Sequence, residues 1–287
     1  MFFVLSSGRS GSKTIASALD QFSNCVCLHH PQPELVLEAT EVFYGDRPAA
    51  EVERVLRETR QPTVDCKIYG EVNLQHTLLV PSLRRVFPDA RYIWLLRDGR
   101  DAVASMYYRG WYDPDESRVA EVWHRARLAG DRTGDFSAHE WQSLARFEKC
   151  CWIWKKYNLI IEERVAEMPR DIWRKVYLES LKSSLDELAA FLGLEKPSNL
   201  LVEKTNVALQ PVVAWHDWTP QQRGQFESQC GEVMDRWYPA WRDSRGNWQQ
   251  IESEKPDRPP LVERTRRLAQ KFGKRVKHRL SRFVGWA

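Results

Sequence analysis

The segment Ser7–Thr14 combines two glycines, Gly8 and Gly11, with small hydroxyl side chains and two cations. It stands where a short apolar run, Phe2–Leu5, gives way to residues with a helical apolar period. Backbone N–H groups in such a strand-to-helix loop converge on an anion, and the helix start adds the positive end of its dipole. The segment therefore predicts a phosphate-binding loop, with a simple connecting turn as the alternative. Further donors come from the side chains of Arg9, Ser10, Ser12, Lys13 and Thr14.

The spacing of this loop differs from that of nucleoside-triphosphate loops. Those require G-x-x-x-x-G-K-[ST], whereas here Gly8 and Gly11 are three residues apart and Ser12 precedes Lys13. The clearest apolar strand ends in Arg97, and no comparable strand ends in a lone Asp suited to Mg²⁺. A nucleotide-dependent kinase or NTPase is therefore the less favoured alternative, alongside a non-catalytic nucleotide-binding module.

A second polar cluster follows that strand, in the sequence Arg97-Asp-Gly-Arg-Asp-Ala-Val-Ala-Ser105. If a helix begins near Gly99, Arg97 lies at its start and Ser105 lies about two turns into it. Arg97 can then make a two-pronged contact with a phosphate, and Ser105 can donate one hydroxyl hydrogen bond. A cation at this point suits a second phosphate better than a metal. A solvated charge cluster at a helix start is the alternative.

The two clusters together resemble sulfotransferases that use 3′-phosphoadenosine 5′-phosphosulfate (PAPS), of the bacterial type. Gly8–Ser12 resembles the family's 5′-phosphosulfate loop, in the Arg-Ser-Gly form of tyrosylprotein and carbohydrate sulfotransferases, and Phe87–Ser105 resembles its 3′-phosphate motif. The resemblance covers about residues 1–110. It implies that Arg97 and Ser105 bind the 3′-phosphate and that Arg9 contacts the bridging oxygen.

The same resemblance implies the reaction and the fold. The expected activity is transfer of a sulfuryl group from PAPS to a hydroxyl of a carbohydrate, lipid or other small acceptor, without a metal. The expected fold is α/β and P-loop-like, in three layers, with a central parallel sheet flanked by helices. Residues 10–14 are expected to hold the 5′-phosphosulfate. The chain departs from the family at Lys13 and Leu178, where Thr and Tyr are more common.

Sulfuryl transfer to a hydroxyl needs a base for its proton, and such bases lie beyond the carboxyl ends of neighbouring parallel strands. His30 is the first candidate, because it follows a predicted strand and lies 21 residues after Arg9. Counting along the pattern of tyrosylprotein sulfotransferases, this is the position of their acidic base. Glu71, after the next predicted strand, is the second candidate, and Glu34 is the third. A structural role is the alternative for each.

Strands that alternate with helices predict a parallel sheet. We predict strands at Phe2–Leu5, Cys25–Leu28, Val64–Tyr69, Arg91–Leu96 and Lys175–Leu178. We predict later helices at Pro33–Thr40, Ala49–Thr59, Leu74–Phe87, Trp141–Met168, Leu181–Phe191 and Pro220–Trp237. Pro81 is expected to kink or split the helix that contains it.

The domain prediction is a sulfotransferase domain over 1–242, with a helical insertion at about 112–168, then a polar linker over 243–260 and a basic amphipathic extension over 261–287. Residues 263–287 hold nine Lys or Arg and one Glu, whereas residues 1–262 carry a formal charge of −4. Such a tail suits an anionic membrane surface. A docked helix or a solvated end is the alternative. Nucleic-acid binding is disfavoured because the rest of the chain is mildly acidic.

Composition sets the remaining expectations. With 43% hydrophobic and 11% aromatic residues, the chain can form a core and is not of a disordered type. No apolar run reaches the roughly 18–20 residues that cross a bilayer, and no signal peptide is recognised. The six cysteines are expected to be reduced, and their spacing does not form a tetrahedral metal site. We therefore expect a cytoplasmic protein, with peripheral association at the inner membrane surface left open.

Overall fold

The sheet is built from five parallel strands in the order β2-β3-β1-β4-β5. The computed structural model describes residues 1–60, 68–113, 121–195 and 214–245. The strands are β1 (Phe2–Ser6), β2 (Cys25–His29), β3 (Ile68–Val72), β4 (Arg91–Leu96) and β5 (Trp173–Tyr177). This order places β1 at the centre, so the loop that follows β1 has neighbours on both sides.

Helices connect the strands and cover both faces of the sheet. They are α1 (Ser12–Leu19), α2 (Val36–Tyr44), α3 (Ala49–Thr59), α4 (His76–Val86), α5 (Gly99–Tyr108), α6 (Glu121–Arg125), α7 (Ala138–Ser143), α8 (Arg146–Ala166), α9 (Leu181–Leu192) and α10 (Pro220–Trp237). Thr219 and Gln222 form the capping box that starts α10. Gly193, in the left-handed conformation, ends α9.

Alternation along the strands divides the core into two layers. Phe3 and Leu5 face a large cluster that includes residues of α4, α5, α8 and α10. Phe2 and Val4 face a smaller cluster formed with α1 and α9. The result is helix, sheet and helix in three layers, which confirms the predicted α/β fold with a parallel central sheet.

The third strand differs from its prediction. It runs over Ile68–Val72, and the predicted positions 64–66 lie outside the described residues. Glu71 therefore lies inside β3, where it is in register with Phe3 of β1 and Leu28 of β2, rather than in a loop after the strand. The parallel ladder extends the strand through Gly70 and Glu71, two residue types with low strand propensity, because the neighbouring strands supply partners on both sides.

Two helix predictions also change. Trp141–Met168 is not one helix but α7 and α8, since Leu144 and Ala145 are extended and the Glu148 carboxylate accepts a hydrogen bond from the Ala145 N–H at 2.9 Å. This contact starts a new helix. Pro81 lies inside α4 without splitting it.

The C-terminal predictions fall largely beyond the described residues. Residues 243–245, the start of the predicted linker, belong to a short 3₁₀ helix, Pro239–Arg245. The remainder of the predicted linker and the extension over 261–287 lie outside the described residues. Within the described part of the chain, no helix combines the length and apolar character needed to span a bilayer.

Candidate functional site

The loop between β1 and α1 is shaped by three residues with positive φ, namely Gly8, Arg9 and Gly11. The Ser10 hydroxyl is buried and donates to the Gly8 carbonyl at 2.9 Å. It also lies 3.1 Å from the Ser7 hydroxyl. The Ser10 side chain therefore stabilises the loop conformation through these hydrogen bonds.

Both glycines are required by their surroundings as well as by their backbone. At Gly11 a Cβ atom would lie 2.4 Å from Cδ1 of Leu178, and at Gly8 it would lie 2.9 Å from the Trp111 ring. A side chain at either position would clash as well as strain the left-handed backbone. The loop can therefore pack directly under Leu178 and Trp111.

The loop meets the second predicted cluster at Arg9. The Arg9 Nε donates to the Ser105 hydroxyl at 3.0 Å, and Arg97 Nη1 donates to the Arg9 carbonyl at 2.8 Å. Arg97 lies just beyond the end of β4, and α5 starts two residues later with Asp98 as its N-cap. The parallel order of β1 and β4 thus brings Arg9 together with Arg97 and Ser105, which lie 88 and 96 positions further along the sequence.

The electrostatic environment of Arg9 is strongly positive. Burial, together with the charges of Arg109 and Arg97, lowers the pKa of Arg9 to about 10. Arg9 still carries its charge at neutral pH. Three guanidinium groups held this close to one another suit a ligand with several negative charges.

The end of β2 contacts the start of α1. His29 Nε2 lies 3.0 Å from the Ser12 hydroxyl, and Lys13, the next residue of α1, is exposed. Burial, followed by the nearby charges of His30 and Lys13, lowers the pKa of His29 to about 4. His29 is therefore neutral at physiological pH. Thr14 lies in the first turn of α1 and is half-buried.

His30 stands beside this pair, in a backbone conformation with a φ of 55°. Its Nδ1 lies 3.0 Å from Oε2 of Glu34, and its N–H donates to the Val72 carbonyl at 3.1 Å. The Trp123 ring lies 5.5 Å from the His30 ring, centroid to centroid. Glu34 therefore interacts with Nδ1, and Nε2 is the ring nitrogen that could accept a proton.

The structure does not bring Glu71 into this site. The Glu71 carboxylate is fully buried and accepts a hydrogen bond from the Tyr69 hydroxyl at 2.6 Å. It also lies 2.7 Å from Arg60 Nε and 2.9 Å from His76 Nε2. Burial by itself would raise the pKa of Glu71, but His76, Arg60 and Tyr69 outweigh it and lower that pKa. Glu71 belongs to a buried ionic network.

Arg60 joins that network to the loop that carries His30. Its guanidinium donates to the carbonyls of Gln32 at 2.8 Å and Pro33 at 2.5 Å. The side-chain amide of Asn73 donates to the Glu34 carbonyl at 3.1 Å. These residues hold the segment between His30 and Glu34 against the sheet. No local sequence pattern marks Arg60, because its partners come from β3 and from the loop after β2.

A cavity of about 380 Å³ opens beside Arg9 and His30. It contains sequence-predicted residues together with several that sequence reasoning missed. Its walls are formed by Ser6, Gly8, Arg9, Ser12, Lys13, His29, His30, Leu74, Gln75, Arg109, Trp111, Trp123, Ala126, Arg127, Ile153 and Tyr157. Arg97 and Ser105 are not among these lining residues, but both contact Arg9, which is. The sequence does contain a signal for part of this wall. Tyr107–Trp111 combines aromatic residues with a cation, and it directly follows the predicted phosphate motif.

No group of three or more His, Cys, Asp or Glu side chains within the described ranges is arranged to hold a metal ion. The five described cysteines, which include Cys25 and Cys27 of β2, are buried free thiols. Cys66 lies outside the described residues.

Part of the chain matches a known family model, and its fold matches solved structures. Residues 48–146 match the model described as the sulfotransferase family, a span that includes Arg97 and Ser105 but not the loop after β1. The matched span is about a third of the chain, and over that span the chain is similar to the sulfotransferase family. No curated protein matches the chain.

Two solved sulfotransferase structures share this fold. The enzyme from Alicyclobacillus acidocaldarius aligns with a TM-score of 0.53 and 14% identity, over 84% of this chain and 98% of its own. Sulfotransferase STF9 from Mycobacterium avium aligns with a TM-score of 0.50 and 13% identity, over 83% of this chain and 76% of its own. At these identities the likeness establishes the three-layer fold of this chain and not its substrates.

Proposed function

We propose that this protein is a sulfotransferase, which transfers a sulfuryl group from PAPS to a hydroxyl group of a small acceptor. The observation that carries the proposal is the meeting of two cationic segments at Arg9, beside a cavity that His30 borders. The reaction forms an O–S bond to the acceptor and breaks the S–O bond to the 5′-phosphate. Adenosine 3′,5′-bisphosphate leaves, and the acceptor proton goes to a base.

The donor assignment divides the site into two anion subsites. The backbone N–H groups and side chains of residues 10–14 bind the 5′-phosphosulfate at the start of α1. Arg97 and Ser105 bind the 3′-phosphate, the group that distinguishes PAPS from ATP. Arg9 lies between them and stabilises the charge that develops on the bridging oxygen. The residues fit such a donor, because positive charge is dense around Arg9 and no acidic side chain borders the cavity among the described residues.

His30 is the proposed base. A carboxylate at Nδ1 favours the tautomer in which Nε2 carries the lone pair, as Glu34 does here at 3.0 Å. His30 Nε2 then takes the proton of the acceptor hydroxyl as the O–S bond forms. Glu34 acts through His30 and is a positioning residue. Burial in the Arg60 network argues against Glu71 in this role.

Donor selectivity and transfer together test the function. We expect adenosine 3′,5′-bisphosphate to bind in calorimetry, and Mg²⁺–ATP to neither bind nor compete. Labelled PAPS should transfer its sulfuryl group to members of an acceptor screen. ATP-dependent turnover would instead support a kinase or NTPase. Bisphosphate binding without transfer to any carbohydrate, lipid or phenolic acceptor would indicate a non-catalytic binding module.

The base assignment is tested at His30. We expect His30→Ala to lower kcat by about 100-fold or more, because general base catalysis contributes that much, while bisphosphate affinity is retained. The matched control is His139→Ala on α7, where the side chain is exposed and far from the loop in sequence. An unchanged kcat in His30→Ala would remove His30 from this role.

A membrane role for residues 261–287 is a further part of the proposal. Its support is the sequence alone, nine basic residues against one acid with interleaved apolar residues. Such a protein would act in the cytoplasm, peripherally at the inner membrane surface. Deletion of 261–287 should abolish co-sedimentation with anionic vesicles, and undiminished sedimentation would contradict the proposal.

A further inference from the structure

We propose that His29 is a positioning residue for the donor, which holds the Ser12 hydroxyl in the orientation that binds the 5′-phosphosulfate. This inference rests on the proposed sulfuryl transfer, in which residues 10–14 bind that end of PAPS. No local sequence pattern marks the pair, because the two residues are 17 positions apart and belong to different elements. His29 acts through Ser12 rather than on the reacting atoms.

The first argument is the contact between the two side chains. His29 Nε2 lies 3.0 Å from the Ser12 hydroxyl oxygen, which is a hydrogen-bond distance. Both residues are half-buried, and both line the cavity beside the donor loop. The contact therefore joins the end of β2 to the first residue of α1, where the donor is proposed to bind.

The second argument is that His29 is itself fixed in place. It is the last residue of β2 and is in register with Val72 of β3. The next residue, His30, donates its backbone N–H to the Val72 carbonyl at 3.1 Å, and the two imidazole rings lie 4.2 Å apart, centroid to centroid. A side chain anchored by a strand and a neighbouring ring is a rigid partner for a hydroxyl group, which otherwise rotates to suit its surroundings.

The third argument concerns the start of α1. Gly11 is the N-cap of this helix, and it has no side chain that could accept from the first backbone N–H groups. A helix start without a side-chain cap suits a bound phosphate. Ser12, the first helical residue, adds a hydroxyl group at the same end. A hydroxyl held by His29 would add one directed donor to the backbone donors.

The charge of the ligand decides which atom donates in the complex. Burial, followed by the charges of His30 and Lys13, lowers the pKa of His29 to about 4, so the ring is neutral at physiological pH and has one N–H. The phosphosulfate oxygens only accept hydrogen bonds, so the Ser12 hydroxyl gives them its single proton. The Ser12 oxygen then accepts from His29, whose proton lies on Nε2. Both hydrogen bonds point toward the negative charge and strengthen each other.

The experiment measures nucleotide affinity by calorimetry. The probes are adenosine 3′,5′-bisphosphate, whose 5′-phosphate represents that end of the donor, and adenosine 3′-monophosphate, which lacks it. His29→Leu should weaken bisphosphate binding about fivefold, as the loss of one neutral hydrogen bond does, and should leave 3′-monophosphate binding unchanged. His29→Gln should retain most of the affinity, because its side-chain amide can also donate to Ser12. The matched control is His139→Leu on α7, where the side chain is exposed, and it should change neither affinity.

A double-mutant cycle shows whether His29 acts through Ser12. In the Ser12→Ala protein, His29→Leu should cause no further loss of bisphosphate affinity. ¹⁵N NMR of the bisphosphate complex should show the His29 ring protonated at Nε2, with the signal assigned by its absence in His29→Gln.

Four results would overturn the inference. They are an unchanged bisphosphate affinity in His29→Leu, an equal loss of 3′-monophosphate affinity, additive losses in the double variant, and a ring protonated at Nδ1 alone. Failure of the unaltered protein to bind the bisphosphate would contradict the proposed function instead.

Discussion

Arg97 provides the sharpest test of the proposed donor site, because the contact seen in the structure and the proposed contact with the donor are separable. Its Nη1 donates to the Arg9 carbonyl at 2.8 Å and supports the loop. In the proposed complex its guanidinium also binds the 3′-phosphate. Loss of a charge-assisted contact to a phosphate costs about 2–3 kcal/mol, whereas loss of an ordinary hydrogen bond costs about 1 kcal/mol. The two roles therefore predict different losses for different nucleotides.

The assay is calorimetry of Arg97→Ala with two ligands, adenosine 3′,5′-bisphosphate and adenosine 5′-monophosphate. Affinity for the bisphosphate should fall by about 30–150-fold, the equivalent of about 2–3 kcal/mol. Affinity for the monophosphate, which lacks the 3′-phosphate, should fall only about fivefold through the loop contact. Ser105→Ala should follow the same pattern with a smaller loss, near tenfold, because it removes one hydroxyl donor.

The control for these affinity measurements is Arg54→Ala on α3. The Arg54 side chain is 70% exposed, and it forms an ion pair with Glu58 at 3.7 Å. It should change neither affinity. Equal losses for both nucleotides in Arg97→Ala would refute the reasoning, since they would show that Arg97 only supports the loop. An unchanged bisphosphate affinity would refute the donor site as a whole.

Three further predictions concern the scaffold of the site. Gly11→Ala should lower the free energy of unfolding in urea by about 1–3 kcal/mol through backbone strain, and by more through the clash with Leu178. Adding Leu178→Ala to the Gly11→Ala protein should restore only the part of the unfolding free energy that the clash removes. Full restoration would show that backbone strain does not contribute. His29 binds a proton near pH 4 when folded and near pH 6.5 when unfolded, so its contribution to stability is complete above about pH 6.5 and is lost as the pH falls toward 4. In the His29→Gln protein, the free energy of unfolding should decline less steeply as the pH falls from about 6.5 to 4. An unaltered pH dependence would contradict this contribution of His29. Arg60→Lys should lower kcat by about tenfold or more, because the loop that carries His30 loses its hydrogen bonds to Arg60 and His30 is misplaced. The affinity for adenosine 3′,5′-bisphosphate should be retained. Equal losses in kcat and in this affinity would indicate general destabilisation.

Local patterns were sufficient for most elements of this fold. The βα alternation predicted a parallel sheet, and four of the strands lie within two residues of their predicted bounds. Helix α10 spans the predicted Pro220–Trp237, because Thr219 and the proline at the first helical position are strong start signals. The resemblance of Gly8–Ser12 and Phe87–Ser105 to a sulfotransferase likewise needed no tertiary information.

Other features depend on contacts between distant segments. Glu71 looked like a loop residue, but β1 and β2 extend β3 through it, and burial then forces its carboxylate to pair with Arg60 and His76. The break between α7 and α8 depends on a capping contact that hydrophobic periodicity does not reveal.

The sequence by itself predicted an anion-binding loop after β1, since the start of a helix offers backbone N–H groups to an anion and the loop adds glycines and cations. It also determined the order of strands and helices along the chain. Only the tertiary structure decided that Arg97 and Ser105 meet Arg9 and that Trp111, Trp123 and Arg127 enclose a cavity with His30. These residues come from separate segments, and their distances depend on how the sheet and helices pack.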